Sequence, residues 1–329
     1  MKRTSSSGST RGRVNSGTTL IELLTVLAVI GLIMAVTFPA ILSIREMSQR
    51  MTCASHLHQI GIATEAYVGT FGVYPGDFGA HEPPLRALLP YIGKRDVLSL
   101  LNESPDSRDV GRIAAYRCPS DGITTADSVW HISYGMNDGN GLQSYGHNGL
   151  FHGKILPDWR EFGQVLRSSD ITDGLSNTAA FSEWLVEEPH RDPGSKTEPR
   201  ALRTSWYVEN EWHGANELSQ FANECLHHRI PNPGFLVHLQ MFHAHLNGGA
   251  DGYHHVLPPN SPSCWNGNPA TTSDALFLYR LTSASSLHRG GANVLIADGA
   301  VRFVSDSIDR QVWSALGSRN GNETRNSAE

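Results

Sequence analysis

The chain has 329 residues, of which 39% are apolar, and a formal net charge of −6, with 26 Lys and Arg against 32 Asp and Glu. This composition suffices for a globular core and excludes a low-complexity or collagen-like chain. Four of the basic residues lie within residues 1–17, which contain no acid, so a basic arm precedes an acidic body. That order indicates membrane topology and argues against nucleic-acid binding, because the body has no basic stripe with interleaved aromatic residues.

The first predicted element is a membrane-spanning helix over about 18–44, after a polar, basic leader at 1–17. No charged residue occurs from Leu23 to Ile44, and about 20 apolar residues cross a hydrocarbon core of about 30 Å. Two simpler interpretations compete. A secretory signal peptide would have a shorter apolar stretch with small residues before its cleavage site. A plain membrane anchor leaves Glu22 unexplained, because a carboxylate at the edge of a membrane helix is costly without a partner.

The segment from Ser16 to Leu24 resembles the processing site of type IV prepilins and pseudopilins. The resemblance implies cleavage after Gly17 by a prepilin peptidase on the cytoplasmic side, usually followed by methylation of the new N-terminus. Glu22 stands at that family's glutamate, where it would pair with the amine of Thr18 in a neighbouring subunit and set the register of assembly. Pro39 stands where many such helices have a kink. The chain departs from the pattern at Thr18, since the first mature residue is usually Phe or Met.

The same helix is predicted to continue beyond the membrane. Apolar residues recur at helical spacing as far as about Tyr67, and the helix-ending residues Gly69, Gly72 and Pro75 follow. We therefore predict one helix over about 18–67, bent at Pro39, with its outer half (45–72) lying on a globular head. Such a helix would be about 75 Å long. Its outer half is stable only where it packs against other elements.

A second resemblance begins in this outer half and extends through the head. Its motifs are Cys53 to Tyr67, Tyr74-Pro75-Gly76, Leu88 to Ile92, Tyr116 to Asp121, Ser133-Tyr134-Gly135, Ile171 to Thr178 with Glu183, and His288 to Phe303. Together they resemble a bacterial prepilin-like family, domain of unknown function 1559, whose H-x9-D-G signature fits His288, Asp298 and Gly299. The region 190–280 matches none of these motifs and is predicted to be a variable insertion.

The head (73–316) is predicted to be α+β, with the long helix packed on a mainly antiparallel β-sheet with long loops. Short helices are expected over 84–91 and 309–316, and a strand over 178–186. The clearest hairpin has strands over 292–297 and 300–305, joined by a turn at Asp298-Gly299. The polar tail, 317–329, is predicted to be disordered.

The four cysteines form no C-x-x-C pair, which argues against a structural zinc site or a thioredoxin-like motif. Export of the body would permit disulfides, and three connectivities are possible. Proximity in the sequence favours Cys53 with Cys118 and Cys225 with Cys264. Four buried free thiols are the alternative.

The signature residues His288 and Asp298 allow two interpretations. The pair could meet at the base of the hairpin, bind an ion or mark an assembly interface. In the structural interpretation, Asp298-Gly299 forms the turn and His288 anchors the glycines that follow it. One His and one Asp complete neither a metal site nor a catalytic set, so the structural role is favoured.

Two other segments are weak metal candidates. Oxygen-bearing side chains cluster around Asp173, as in calcium sites, but Asp173 is the only acid there and a self-satisfied turn is the simpler interpretation. His243 and His245 would share one face of a strand, which suits a transition metal. Four aromatic residues of the predicted insertion would form either a ligand surface or a local core: Trp206, Trp212, Tyr253 and Trp265.

The sequence contains no dinucleotide or Walker loop, no G-x-S-x-G motif and no nucleophile with an identifiable base, so we predict neither a cofactor nor enzymatic activity. We predict a pseudopilin-like protein of the bacterial inner membrane, with a cytoplasmic N-terminus and an extracytoplasmic head. Its expected partners are a prepilin peptidase, membrane lipid and other pilin-like subunits. The alternative is a membrane-anchored binding module, in which 190–280 recognises a glycan, a metal or an envelope partner without polymer formation.

Overall fold

The computed structural model describes residues 19–76, 84–104, 111, 113–122, 132–141, 148–151, 166–185, 205–212, 217–231, 252–268 and 280–321. Four residues predicted to matter lie outside these ranges, namely Gly17, Thr18, His243 and His245. The chain divides into two compact units, residues 1–47 and residues 48–329.

The first unit contains the N-terminal part of helix α1, which spans Leu20–Phe71 and includes Pro39. Every described side chain in 19–44 is exposed. Among the described residues, α1 is the one helix long and apolar enough to be a candidate membrane span. A capping box starts the helix: the Thr19 backbone N–H donates to Glu22 Oε2 at 2.8 Å, and the Glu22 N–H donates to Thr19 Oγ1 at 3.4 Å.

The second unit begins with the rest of α1, which is packed along one face. The buried residues of the helix recur at helical spacing and are Cys53, Leu57, Ile60, Gly61, Ala63 and Thr64. The helix ends four residues beyond the predicted boundary at Tyr67, where Gly72 adopts a φ of 71° and its N–H donates to Val68 O at 2.7 Å. The predicted packing of this outer half on the head is confirmed.

Nine short strands form two sheets within the part of the chain that the structure describes. In chain order they are β1 Tyr134–Gly139, β2 Ala179–Glu183, β3 Ser205–Tyr207, β4 Ile230–Pro231, β5 Gly252–His254, β6 Ser263–Trp265, β7 Arg280–Leu281, β8 Gly291–Ile296 and β9 Val301–Ser305. The larger sheet has the order β5-β1-β2-β8-β9 and the smaller one β4-β3-β6-β7. Each sheet has one parallel pair, β1 with β5 and β3 with β6, and the other pairs are antiparallel. The predicted α+β class with a mainly antiparallel sheet is confirmed.

The described residues also contain four short α-helices: α2 Pro84–Ala87, α3 Arg95–Glu103, α4 Leu218–His227 and α5 Arg310–Gly317. The single helix predicted over 84–91 is instead α2 followed by a 3₁₀ turn at Leu89–Ile92. Helix α5 agrees with its prediction to one residue. Asp309 caps it, accepting the backbone N–H groups of Gln311 and Val312.

The region predicted as an insertion contributes to both sheets. It supplies the smaller sheet and α4, which enclose a core around Trp206, Phe221, Cys225 and Cys264. It also supplies β5, which pairs with β1 in the larger sheet. Trp206 and Trp265 are buried, so these aromatic residues form a local core rather than a ligand surface.

Residues 317–321 correct the prediction that the tail is disordered from residue 317 onward. Ser318 is fully buried, and the Arg319 guanidinium donates to Gly149 O. The backbone of Arg319 donates to Asn148 O at 2.9 Å and accepts from the Asp173 N–H at 3.1 Å. Polar residues fit this buried position because they satisfy backbone groups there, which composition alone does not show. Residues 322–329 lie outside the described part of the chain.

Candidate functional site: a buried histidine, glutamate and disulfide

The signature turn at Asp298-Gly299 closes the β8–β9 hairpin, as the structural interpretation predicts. Asp298 is exposed, and its Oδ1 accepts the Ala300 N–H at 3.0 Å. Gly299 has a φ of 86°, a left-handed conformation that favours glycine. The turn therefore needs both signature residues for its geometry.

The same hairpin packs closely on the outer half of α1. A Cβ at Gly61 would lie 2.9 Å from Leu295 Cδ1 and 3.6 Å from Gly299 Cα. The ring of His58 donates from Nδ1 to Gly299 O at 3.2 Å. A Cβ at Gly61 would therefore force the buried Leu295 side chain to shift, so the glycine favours this close approach of the hairpin to α1.

His288 is not part of this turn, and the structure does not bring it to Asp298. The two residues lie at opposite ends of β8, His288 buried and Asp298 exposed. The contacts described for the His288 side chain are with Glu183 and Cys118. Its Nε2 lies 3.4 Å from Glu183 Oε1, because the chain before β8 passes beside the end of β2.

Glu183 is a buried carboxylate with a fixed orientation. It is 2% exposed and ends β2. Asn293 of β8 donates twice to it, from its backbone N–H to Oε2 at 2.9 Å and from Nδ2 to Oε1 at 2.8 Å. Such paired donors satisfy a carboxylate that would otherwise be costly to bury.

The Cys53–Cys118 disulfide completes the cluster, and Cys225 pairs with Cys264. These are the two pairings that sequence proximity favours. Cys118 Sγ lies 3.8 Å from His288 Nε2 and 3.9 Å from Glu183 Oε1. A disulfide sulfur has no proton to donate, so its approach to Glu183 Oε1 is a contact and not a hydrogen bond, and towards His288 Nε2 the sulfur can act only as a weak acceptor. All four ligand atoms lie within 4.8 Å of one another.

The surroundings of the cluster are protein, not solvent. Cys53 is fully buried and Cys118 is 7% exposed. The Tyr134 hydroxyl donates to the backbone oxygen of Cys53 at 3.1 Å. Burial, together with the negative carboxylates of Glu183 and Asp121, raises the pKa of Tyr134 well above its usual value, so the phenol stays protonated.

A family model described as a protein of unknown function, DUF1559, matches residues 42–311. The chain belongs to this family. The matched span contains the whole cluster and also the region 190–280. Comparison with curated proteins and with solved structures gives no match.

The other predicted ion site of this DUF1559 chain is occupied by its own hydrogen bonds. Asp173 Oδ2 accepts from Ser318 Oγ at 3.0 Å and from the Gly321 N–H at 2.7 Å. Asn177 Nδ2 donates to Asp173 O at 2.8 Å. This geometry matches the self-satisfied turn and gives no support to a calcium site.

Sequence reasoning placed His288 and both cysteines among its candidates but did not join them, and it gave Glu183 no role. Each of the four residues lies in or beside one of the segments whose sequence resembles the family. The separations along the chain are too long for a spacing rule to connect them. The available signal was that four potential metal ligands occur within those segments.

Proposed function

We propose that this protein is a pilin-like subunit of the bacterial envelope, processed after Gly17 by a prepilin peptidase and assembled through α1 with other pilin-like subunits. In this proposal the head is extracytoplasmic and has no enzymatic role. The observation that carries the proposal is the exposure of the first part of α1. Its large apolar residues are between 51% and 83% exposed from Leu20 to Ile44.

An apolar surface of this extent requires a cover. Soluble monomers rarely expose contiguous apolar patches larger than a few hundred Å². Lipid covers such a helix in the membrane, and neighbouring helices cover it in a pilin-like assembly. In the proposed function, lipid covers the helix before assembly and neighbouring helices cover it afterwards.

Glu22 has two candidate roles, and the structure describes one of them. Its carboxylate caps its own helix through Thr19. In the assembly it would pair with the new amine of Thr18 in a neighbouring subunit, which neutralises two charges in lipid. The two roles require different chemistry, because a cap needs only an acceptor oxygen whereas the ion pair needs the negative charge.

The test compares Glu22→Gln with Glu22→Ala in the native host, with cross-linked oligomers and membrane-bound protein measured in parallel. Glutamine keeps the acceptor for the Thr19 N–H and removes the charge. We expect both variants to insert normally and both to lose assembly. Thr25→Ala is the control within the same span, since Thr25 bonds only to Glu22 O within the helix among the contacts described.

Normal oligomers with Glu22→Gln would contradict the pairing mechanism and leave Glu22 as a helix cap. Absence of oligomers even from the wild-type chain would favour the membrane-anchored binding module.

A further inference from the structure

The buried cluster has the ligand types and the spacing of a tetrahedral metal site. Zinc takes Cys, His and carboxylate ligands at about 2.0–2.3 Å, which places the ligand atoms about 3.4–3.8 Å from one another. The observed separations are 3.4 Å from His288 Nε2 to Glu183 Oε1, and 3.8 and 3.9 Å from these atoms to Cys118 Sγ. Three edges of a tetrahedron are therefore already present.

We propose that Cys53, Cys118, Glu183 and His288 bind one Zn²⁺ ion when the disulfide between the two cysteines is reduced. The pocket then holds either a disulfide or a metal ion, never both. The rearrangement required is local, because the sulfurs need to separate to about 3.8 Å by rotation of two side chains whose Cα atoms are 4.9 Å apart.

The chemistry balances in two steps. A dithiol reductant exchanges with the disulfide, so that two electrons and two protons convert the pair to two thiols while the reductant becomes a disulfide. Zn²⁺ then displaces the two thiol protons and binds both thiolates. The ion adds two positive charges and the released protons remove two, so the buried pocket gains no net charge when it loads.

The neighbours of the cluster supply the support that a metal site needs. Asn293 orients the Glu183 carboxylate through two hydrogen bonds and leaves lone pairs on Oε1. The hydroxyl of Tyr134 holds the backbone at Cys53. Outer contacts of this kind fix ligand geometry in metalloproteins.

The second disulfide provides an internal control. Cys225 and Cys264 lie in an apolar core with Trp206, Phe221 and Leu281. Among the described residues, the group with three or more close ligands contains only the first cysteine pair. Reduction exposes both pairs to the same ion, so a difference between them reports the pocket rather than free thiols in general.

The experiment uses the full chain in detergent, reduced with a phosphine, freed of reductant under argon and titrated with Zn²⁺. Alkylation followed by peptide mapping reads each cysteine separately. We expect about one bound Zn²⁺ per reduced chain and alkylation of Cys53 and Cys118 slowed at least about tenfold, with little change at Cys225 and Cys264. Co²⁺ in place of Zn²⁺ should give thiolate-to-metal charge-transfer absorption.

Variants assign the remaining ligands. His288→Gln should weaken Zn²⁺ binding about 10–100-fold, whereas Cys225→Ser with Cys264→Ser should leave one ion bound. If His288→Gln does not fold, the wild-type alkylation pattern still decides. Equal protection of both cysteine pairs, or failure of the reduced wild-type chain to bind Zn²⁺ more tightly than the oxidised chain, would overturn the proposal.

Discussion

The two halves of α1 belong to one helix but present different surfaces. From Leu20 to Ile44 every side chain is exposed, and the sequence is apolar on all sides of the helix. From Cys53 to Thr64 one face is buried, and that face contains a cysteine, a glycine and a threonine besides its aliphatic residues. The difference teaches that a helix face packed against protein contains residues suited to specific contacts, such as a cysteine in a disulfide or a glycine at a close approach. A helix that is apolar all round instead indicates a surrounding solvent such as lipid.

The largest expected effect comes from removing the disulfide that joins Cys53, in the second half of α1, to Cys118 of the head. Cys53→Ala with Cys118→Ala should lower the free energy of unfolding of the head by about 4 kcal/mol, because the disulfide closes a long loop in the unfolded chain. Leu27→Ala with Leu32→Ala, both exposed in the first half, should leave it unchanged. Urea denaturation followed by tyrosine and tryptophan fluorescence measures both. A decrease in the free energy of unfolding below about 1 kcal/mol in the cysteine variant would contradict a stabilising role for this disulfide.

The two halves of α1 should respond differently to acid: the head that packs on the second half should lose stability, whereas the first half should stay helical. Burial lowers the pKa of His255 to about 3, and its hydrogen bond to Trp313 O opposes this only in part. The unfolded chain therefore binds a proton near pH 6.5 that the folded head binds only near pH 3, so stability falls as the pH drops between these values. At pH 5 the loss should be about 2 kcal/mol relative to neutral pH. No ionisable side chain occurs from Leu23 to Ile44, so the helicity of that segment should persist.

The control for this pH dependence is His255→Gln, which removes the titrating group. Denaturation at pH 7 and pH 5 should show a smaller difference in the variant than in the wild type. The same difference in both chains would mean that other groups cause the acid effect.

Two glycines of α1 give a smaller, matched comparison. A Cβ at Gly61 would lie 2.9 Å from Leu295 Cδ1, whereas a Cβ at Gly31 would meet nothing within 4 Å. Gly61→Val should cost the head about 1–3 kcal/mol through overpacking. Gly31→Val should cost it nothing measurable. Equal effects in the same denaturation assay would show that the two halves are not packed differently.

Local signals predicted much of this fold. The apolarity of α1, the Asp-Gly turn of the β8–β9 hairpin and the position of α5 are each indicated by patterns that are continuous in the sequence. Proximity also favoured the observed cysteine pairs. These features depend on backbone preferences and short loops, which a sequence displays directly.

The remainder depends on contacts between distant segments. The parallel pairing of β5 with β1 joins residues more than a hundred positions apart, and no local pattern specifies it. The His288–Glu183 contact likewise arises only when β2 and β8 become neighbours. The polar residues Ser318 and Arg319 predict a solvated tail, but both are buried, and Arg319 donates a hydrogen bond to the backbone oxygen of Gly149.

In the proposed function, cleavage after Gly17 makes Thr18 the N-terminus, the first half of α1 remains in the membrane, and the second half packs on the head. Intact-mass measurement of the natural protein extracted from bacterial membranes tests it most directly. The expected mass is that of a chain beginning at Thr18, with or without one methyl group. A membrane-bound chain that retains Met1, or a soluble chain lacking the first half of α1, would contradict the claim.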